Sequence, residues 1–325
     1  ISSPAYAIIN PKRKDNEKGF EYLCAAGVTF IMLVGLNREL RKRGYYKQRV
    51  NEPNLMNFLD LVALGTVCDV VPLVSLNRVF VQQGIILMKY RKNIGIKSLS
   101  DISNLGDSPD VQSLSFGLGP RINAGGRIGS SKLGVNLLIE DNEDKAIEIA
   151  LKLDQLNKKR KIITSEIESE AIGMVEKEIS KNNGTIPNFI IVSNDQWHEG
   201  VIGIIAGKLK DKYNRPACVI TFKGKLGKGS ARSIKGLSMG DLFVSAMKKN
   251  ILLKGGGHDM AAGLTIEKEK LSSFKNFISN ELKNSSLQYK PKEIFATNVI
   301  SVSNCNYELA QWIEKLGPLG GRCTR

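Results

Sequence analysis

Three stretches decide the architecture: FIIVSND (residues 189–195), VIGIIAGKLKDKY (201–213) and PACVITF (216–222). The outer two are short apolar runs that read as buried strands. The middle one mixes apolar and basic residues at helical spacing and reads as an amphipathic helix. Strand, helix, strand in that order is a βαβ unit with parallel strands, which places the chain in the α/β class. Downstream, GKGSARS (227–233), a helix over SMGDLFVSAMKK, GGGHDMAAGLTIE (255–267) and a helix over KLSSFKNFISNELK complete that domain. Upstream, Ile147, Ala150, Leu151, Leu156, Ile163 and Ile167 recur every three or four positions, predicting one long helix from about Asp144 to Ser180. A helix of that length joins two domains, and the boundary is expected inside it, around residues 155–185.

Nearer the N-terminus, AYAIINP reads as a β-like run stopped by Pro11, and Gly19–Arg43 as a buried helix with cations at its C-terminus. LMNFLDLVALGTV reads as a second helix ending near Gly65–Asp69, and LNRVFVQQGIILMKYRK as a third ending before Gly95. The glycine-rich FGLGPRINAGGRIGSS (116–131) is expected to be a structured loop or a loop–helix junction.

The 325 residues are 42% hydrophobic and 24% charged, the balance of a globular chain with a core. No apolar run approaches the roughly 20 residues of a membrane-spanning helix, which excludes an integral helical membrane protein. Five cysteines without a CxxC spacing disfavour a zinc ribbon or disulfide scaffold and fit a reducing compartment. Two histidines exclude a histidine-rich metal cage, and no GxxxxGK[ST] pattern occurs. The net charge is +15; residues 1–50 hold 10 basic and 4 acidic side chains, residues 201–250 hold 11 and 2. A localised excess of this kind is the footprint of a face that binds a polyanion, with phosphate the natural partner, or of a lysine-rich solvated surface. Ile1 starts inside what reads as a domain and LGPLGGRCTR stops without a capped helix, so both ends are expected to lie within a longer protein.

Several clusters could carry chemistry. Asp69 in GTVCDVVPL is expected to be buried among Val and Leu, where it needs a partner: a hard cation, or a capping or salt-bridging role. GPRINAGGR sets Arg121, Asn123 and Arg127 around a turn, either to bind phosphate or as surface cations. Trp197, His198 and Glu199 precede a helix N-terminus opened by Gly200, a place that attracts anions. Ser230 and Arg232 alternate on one face of a predicted strand, and three glycines lead to His258.

In order, GTVCDVVPL, FGLGPRINAGGR, WHEGVIGIIAGKLKDKYNRPACVI, GKGSARS and GGGHDMAAG resemble motifs of the RecJ family of single-stranded-DNA-specific exonucleases, in the DHH phosphoesterase superfamily. INPKRKD and LCAAGVTF are similar to that family too, and the resemblance runs from residue 1 to about 318. It implies the C-terminal part of a DHH catalytic domain over 1–155 and a connecting helix over 140–184. It further implies a smaller α/β DHH-associated domain over 185–285 and the start of an oligonucleotide-binding region over 286–325. The implied activity is metal-dependent 5′→3′ hydrolysis of single-stranded DNA in repair and recombination, with Mn²⁺ or Mg²⁺. By the same resemblance Asp69 is a metal ligand, and Ser230 and Arg232 hold the 5′ phosphate. Arg121, Asn123 and Arg127 lie in a DNA-contacting loop, and Gly256, Gly257 and His258 belong to the DHH-associated motif; Trp197 is a candidate for base stacking, with a core role as the alternative, and His198 is a further candidate site residue. The implied partners are a single strand with a 5′ end, a single-strand-binding protein and a helicase, for a cytoplasmic monomer without membrane association. The family's Asp-x-Asp, further Asp and Asp-His-His are absent, so this chain alone is expected to be inactive. Rival readings are a small-substrate DHH phosphoesterase, such as an oligoribonuclease or pyrophosphatase, and a non-catalytic DNA-binding relative.

Overall fold

The computed structural model describes residues 5–13, 15, 19–47, 50–107, 109–283, 296 and 299–320. The chain divides into two compact units, one of Ile1–Gly125, Ser130–Gln155 and Ala296–Arg325, the other of Gly126–Gly129 and Leu156–Phe295.

The first unit is helical throughout its described residues: α1 (Ala25–Lys42), α2 (Leu59–Cys68), α3 (Ser75–Lys89), α4 (Ile94–Ile102), α5 (Gly119–Ile128), α6 (Lys132–Leu138) and the first turns of α7 (Glu143–Lys181). Its core joins Ala63, Val81, Leu99, Leu114, Leu118, Leu137, Ala150 and Leu153, none of them measurably exposed. Three local expectations change here and one holds. AYAIINP forms no strand, because no described segment of this unit is extended beside it to supply a ladder. α1 begins at Ala25 and buries only Gly27, Phe30 and Asn37, leaving Met32, Val34 and Leu36 exposed. The third helix, α3, ends at Lys89, before Gly95 as expected, and Gly95 lies inside the next helix, α4. The glycine-rich segment is helical, a π-turn over Ser113–Leu118 running straight into α5. Its glycines serve packing rather than turning: a Cβ on Gly119 would stand 2.6 Å from the sulfur of Cys68. Pro120 falls where the wider π-turn passes into α5, a break in the regular ladder of helical bonds.

α7 runs for 39 residues without a proline. Ala146, Ala150 and Leu153 bury one stretch of it in the first unit, and Ile167, Ala171 and Val175 another in the second.

In the second unit β1 (Ile190–Asn194), α8 (Ile202–Tyr213) and β2 (Ala217–Lys223) form the expected βαβ unit, with β1 and β2 parallel. β3 (Leu226–Arg232), α9 (Met239–Lys248), β4 (Lys254–His258), β5 (Ala261–Glu267) and α10 (Leu271–Lys283) follow, and the sheet order is β1-β2-β3-β5-β4. Because side chains alternate along a strand, one sheet face (Cys218, Ile220, Ala231, Leu264, Ile266) packs on α9 and α10. The opposite face of β1 and β2 (Ile190, Val192, Ala217, Val219) packs on α7 and α8. Side-chain bonds tie α7 into this unit, among them those from Tyr213 to Glu176 at 2.6 Å and from Trp197 Nε1 to Glu170 at 2.7 Å. The C-terminal stretch carries α11 (Tyr307–Lys315), and most of residues 284–298 and all of 321–325 lie outside the described residues.

Candidate nucleic-acid interface

α8 packs on β2 and β3 rather than on β5 and β4, so it leaves the far part of that sheet face uncovered. Cross-strand partners share a face, and the register lays three rows across it. Lys228, Thr265 and Lys254 form one row; Ser230, Gly263 and Gly256 the next; Arg232, Ala261 and His258 the third. The middle row has a hydroxyl at one end and two glycines beyond it, which leaves a trough in front of Ser230. A cavity of about 630 Å³ results, walled by Arg127, Gly200, Gly203, Lys228, Ser230, Arg232, Lys254 and Gly256 among others.

Two close approaches build its wall. A Cβ on Gly200 would lie 2.0 Å from the carbonyl oxygen of Arg127, and Arg127 Nη1 in turn donates to the carbonyl of Gly200 at 3.2 Å. A Cβ on Gly203 would lie 3.0 Å from Ser230 Oγ and 3.1 Å from Arg232 Nη2. Glycine at both positions brings the first turn of α8, with its free N–H groups and positive dipole end, against the Ser230–Arg232 pair.

The cavity is cationic and largely unbalanced. Glu199 on its rim meets Lys228 at 3.0 Å and Lys223 at 3.6 Å, and the Lys228 contact holds its carboxyl below the usual carboxylate range. Arg232 Nη1 donates to Ser230 Oγ at 3.1 Å and to the carbonyl of Ala231 at 2.9 Å. Burial, and then the charge of Arg127, push the Arg232 guanidinium below its ordinary value. A half-buried arginine beside a second arginine, with no carboxylate ion pair among the described residues, costs free energy that a bound anion offsets.

The candidate residues thus separate. Arg127, Ser230, Arg232 and Gly256 converge on the cavity. His258 is exposed on the same face, in the row of Arg232, without lining the cavity; Gly257 pairs with Ala262 on the opposite face. Arg121 belongs to the first unit, where its Nε donates to Asp154 at 2.8 Å and its Nη1 to the carbonyl of Gly117 at 2.9 Å. With its side chain 15% exposed and that of Asp154 7%, the pair is a structural ion pair. Asn123 is exposed on α5. Trp197 is 3% exposed with its N–H bonded to Glu170, which removes it as a stacking platform for a base and gives it a core role. His198 is exposed and its Nδ1 accepts from the Gly200 N–H at 3.1 Å, capping the turn before α8.

Asp69 departs from expectation in its burial: it is exposed at the C-cap of α2, because the chain turns outward there. The turn is made by Val70 at φ 55°, a left-handed conformation costly for a β-branched residue. Asp69 borders a separate cavity of about 490 Å³ in the first unit, together with Asn10, Glu21 and Tyr22. Among the described residues no three His, Cys, Asp or Glu side chains come together to hold a metal ion.

Sequence reasoning missed Lys228, Lys254 and Gly203 as cavity residues. Lys228 was legible, since it shares the alternation of Ser230 and Arg232; Lys254 and Gly203 are placed only by the register of β4 on β5 and by the seating of α8.

The DHHA1 domain model matches residues 187–284. RecJ of Salmonella typhimurium, a single-stranded-DNA-specific exonuclease, is 38% identical over 97% of this chain, a match that covers 56% of that protein. RecJ of Escherichia coli matches to the same extent, and RecJ of Bacillus subtilis is 35% identical over 86% of this chain and 33% of its own length. The chain spans about half the length of the first two. Among solved structures, RecJ of Thermus thermophilus in complex with Mn²⁺ superposes with a TM-score of 0.77 at 24% identity, over 90% of this chain and 41% of that one. Exonuclease RecJ bound to manganese gives 0.67 at 25% identity, over 85% and 64%. The sheet unit thus matches a DHHA1 domain, and nearly the whole length of the chain is RecJ-like.

Proposed function

We propose that this chain is part of a 5′→3′ exonuclease specific for single-stranded DNA, and that its second unit holds the 5′-terminal phosphate of the strand. The observation that carries the reading is the cavity in which Ser230, Arg232 and Arg127 converge, with neither arginine in a carboxylate ion pair among the described residues. A hydroxyl, two guanidinium groups and the N-terminus of α8 form a donor set suited to a phosphate monoester, which has more charge and more free oxygens than an internal diester. The names of the relatives, single-stranded-DNA-specific exonucleases, supply the substrate class. The same reading makes the whole protein a hydrolase of phosphodiester bonds in DNA repair and recombination that uses Mn²⁺ or Mg²⁺, the ions in the related structures.

Asp69 is the described residue that fits a hard cation, an exposed carboxylate bordering a cavity. Glu21 borders the same cavity, but two carboxylates are too few for a site of two cations, and no cluster of three ligands exists among the described residues, so no hydrolytic step is derived from this chain.

The test is a pair of binding measurements on strands of one sequence carrying a 5′ phosphate or a 5′ hydroxyl, with wild type beside Arg232→Gln. Loss of a charge-assisted contact costs about 1.5–3 kcal/mol, about one to two powers of ten. Wild type is expected to prefer the phosphorylated end by that factor and Arg232→Gln to lose most of the preference. A ratio unchanged by the substitution overturns the assignment.

A further inference from the structure

β1 is an end strand of the sheet, with β2 on one side and no described strand on the other. The Ile190 N–H donates to the carbonyl of Pro216 at 2.9 Å, which turns the backbone groups of Ile190, Val192 and Asn194 towards β2. By the alternation of a parallel ladder, the N–H and C=O of Ile191 and Ser193 point the other way, to the open edge. The strand, IIVSN, carries neither a charge nor a proline, the usual devices that keep such an edge from pairing. Beside it lies a groove of about 270 Å³ between α10 and α7, with Phe189, Ile191, Ile278 and Leu282 as its apolar floor. Lys275 and Lys283 of α10 stand on its rim, both exposed, and Glu178 of α7 faces them. The acid of α10, Glu281, is taken by Lys249 at 2.9 Å, and neither rim lysine has an ion pair among the described residues. The groove shares no residue with the Ser230–Arg232 cavity.

An open strand edge offers donors and acceptors in alternation, and only another peptide backbone matches both; a phosphodiester chain brings acceptors alone. The edge therefore selects an extended peptide, in which every second side chain faces α10. Lys275 and Lys283 are eight positions apart on that helix, about 12 Å at the helical rise. Four steps of extended chain cover about 13 Å. Two acids at that spacing reach the two lysines, and an apolar residue midway between them falls over Ile278 and Leu282. We propose that the β1 edge docks a partner protein through an extended segment of the pattern acid–x–apolar–x–acid, added beside β1 as a further strand. The intervening residues face α7 and Glu178, where polar or basic side chains fit. A second copy of this chain does not fit, because its own β1 carries no acid and its lysines would meet these. The assignment is independent of the reading of the phosphate cavity.

The probe is a fluorescent peptide with blocked ends, Gly-Asp-Thr-Ile-Thr-Asp-Gly, titrated with the 325-residue chain and read by anisotropy. Saturable binding is expected, and the same peptide with Lys in place of both Asp residues is expected to bind about tenfold more weakly. Lys275→Glu combined with Lys283→Glu is expected to reverse that order; both positions are exposed, so the fold is left intact. Ser279→Trp, at an exposed position lining the groove, is expected to block both peptides. Two further probes carry N-methyl groups on alternate amides, one set on the Asp and Ile residues and the other on the Thr residues. One set faces β1, so its methylation is expected to abolish binding, while methylation of the other changes the affinity by less than about threefold. Absence of saturable binding, equal affinity for the acidic and basic peptides, or an equal effect of the two methylated sets overturns the assignment. Displacement of the peptide by single-stranded DNA overturns it as well, since that places the peptide in the basic cavity.

Discussion

At Gly200 a single added methyl group would stand 2.0 Å from the carbonyl oxygen of Arg127, a backbone atom that no rotamer change can move aside. Gly200→Ala is expected to destabilise the chain by about 1–3 kcal/mol, the usual cost of overpacking, read as a lower midpoint in denaturant unfolding. It should also weaken phosphate binding, because the shift falls on the segment that presents Arg127; an unchanged midpoint would show that the approach is looser than described. The two arginines of GPRINAGGR show what a motif leaves open at this scale. Both lie on α5, yet Arg121 is neutralised by Asp154 in the first unit, while Arg127 joins Gly200 in the second. The residue types were informative and their destinations were not, because the partner of each arginine lies 33 or 73 positions away.

Helix α2 buries an acid in its first turn. Asp60 is 6% exposed, and its side chain accepts from the adjacent Leu61 N–H at 2.7 Å. That bond and the helix N-terminus favour the ionised form, burial opposes it, and burial wins: the carboxyl is raised above the usual range. With the folded value above the unfolded one, the unfolded state gives up its proton first as pH rises. Stability from this group is therefore greatest in acid, falls as pH climbs from the ordinary carboxylate value to the raised one, and stays lower above it. Asp60→Asn keeps the Oδ1 acceptor without the charge, so it should raise the melting temperature at pH 7 and lose that advantage below about pH 4. A melting temperature lowered at pH 7 would mean that Asp60 is held by a favourable partner. At this scale apolar periodicity was a sound guide wherever an element packs on one face, as in α7 and α8. It failed for residues 116–131, where glycine was read as a turn residue and instead admits close helix packing.

Across the whole molecule the basic excess divides into two physically different sets. In residues 1–50, Arg13, Arg41 and Arg43 are paired with Asp15, Glu52 and Glu39. Among the described residues lining the cavity, Arg127, Lys228, Arg232 and Lys254 stand against one carboxylate, that of Glu199. Each phosphate neutralised on a single strand contributes about −0.7 to the slope of log K against log salt, so about four contacts give about −3. Titrations of single-stranded DNA between low and moderate salt should return a slope near that value, and a flat response would refute the interface. Only Lys228 and Arg232 of these four come from the block 201–250 that the charge count singled out; the others arrive from α5 and β4.

Periodicity and turn chemistry are local properties, so the βαβ unit, the long helix and the alternation of Ser230 with Arg232 could all be read from the chain, and motif order was enough to identify the family. Which cations face one another is a long-range property. It depends on the register of β4 and β5 on β3, on α8 stopping short of those strands, and on Gly200 admitting the backbone of Arg127. The exposure of Asp69 and the burial of Trp197 have the same origin: burial is set by what the rest of the chain lays over a residue, and immediate neighbours in sequence do not specify that.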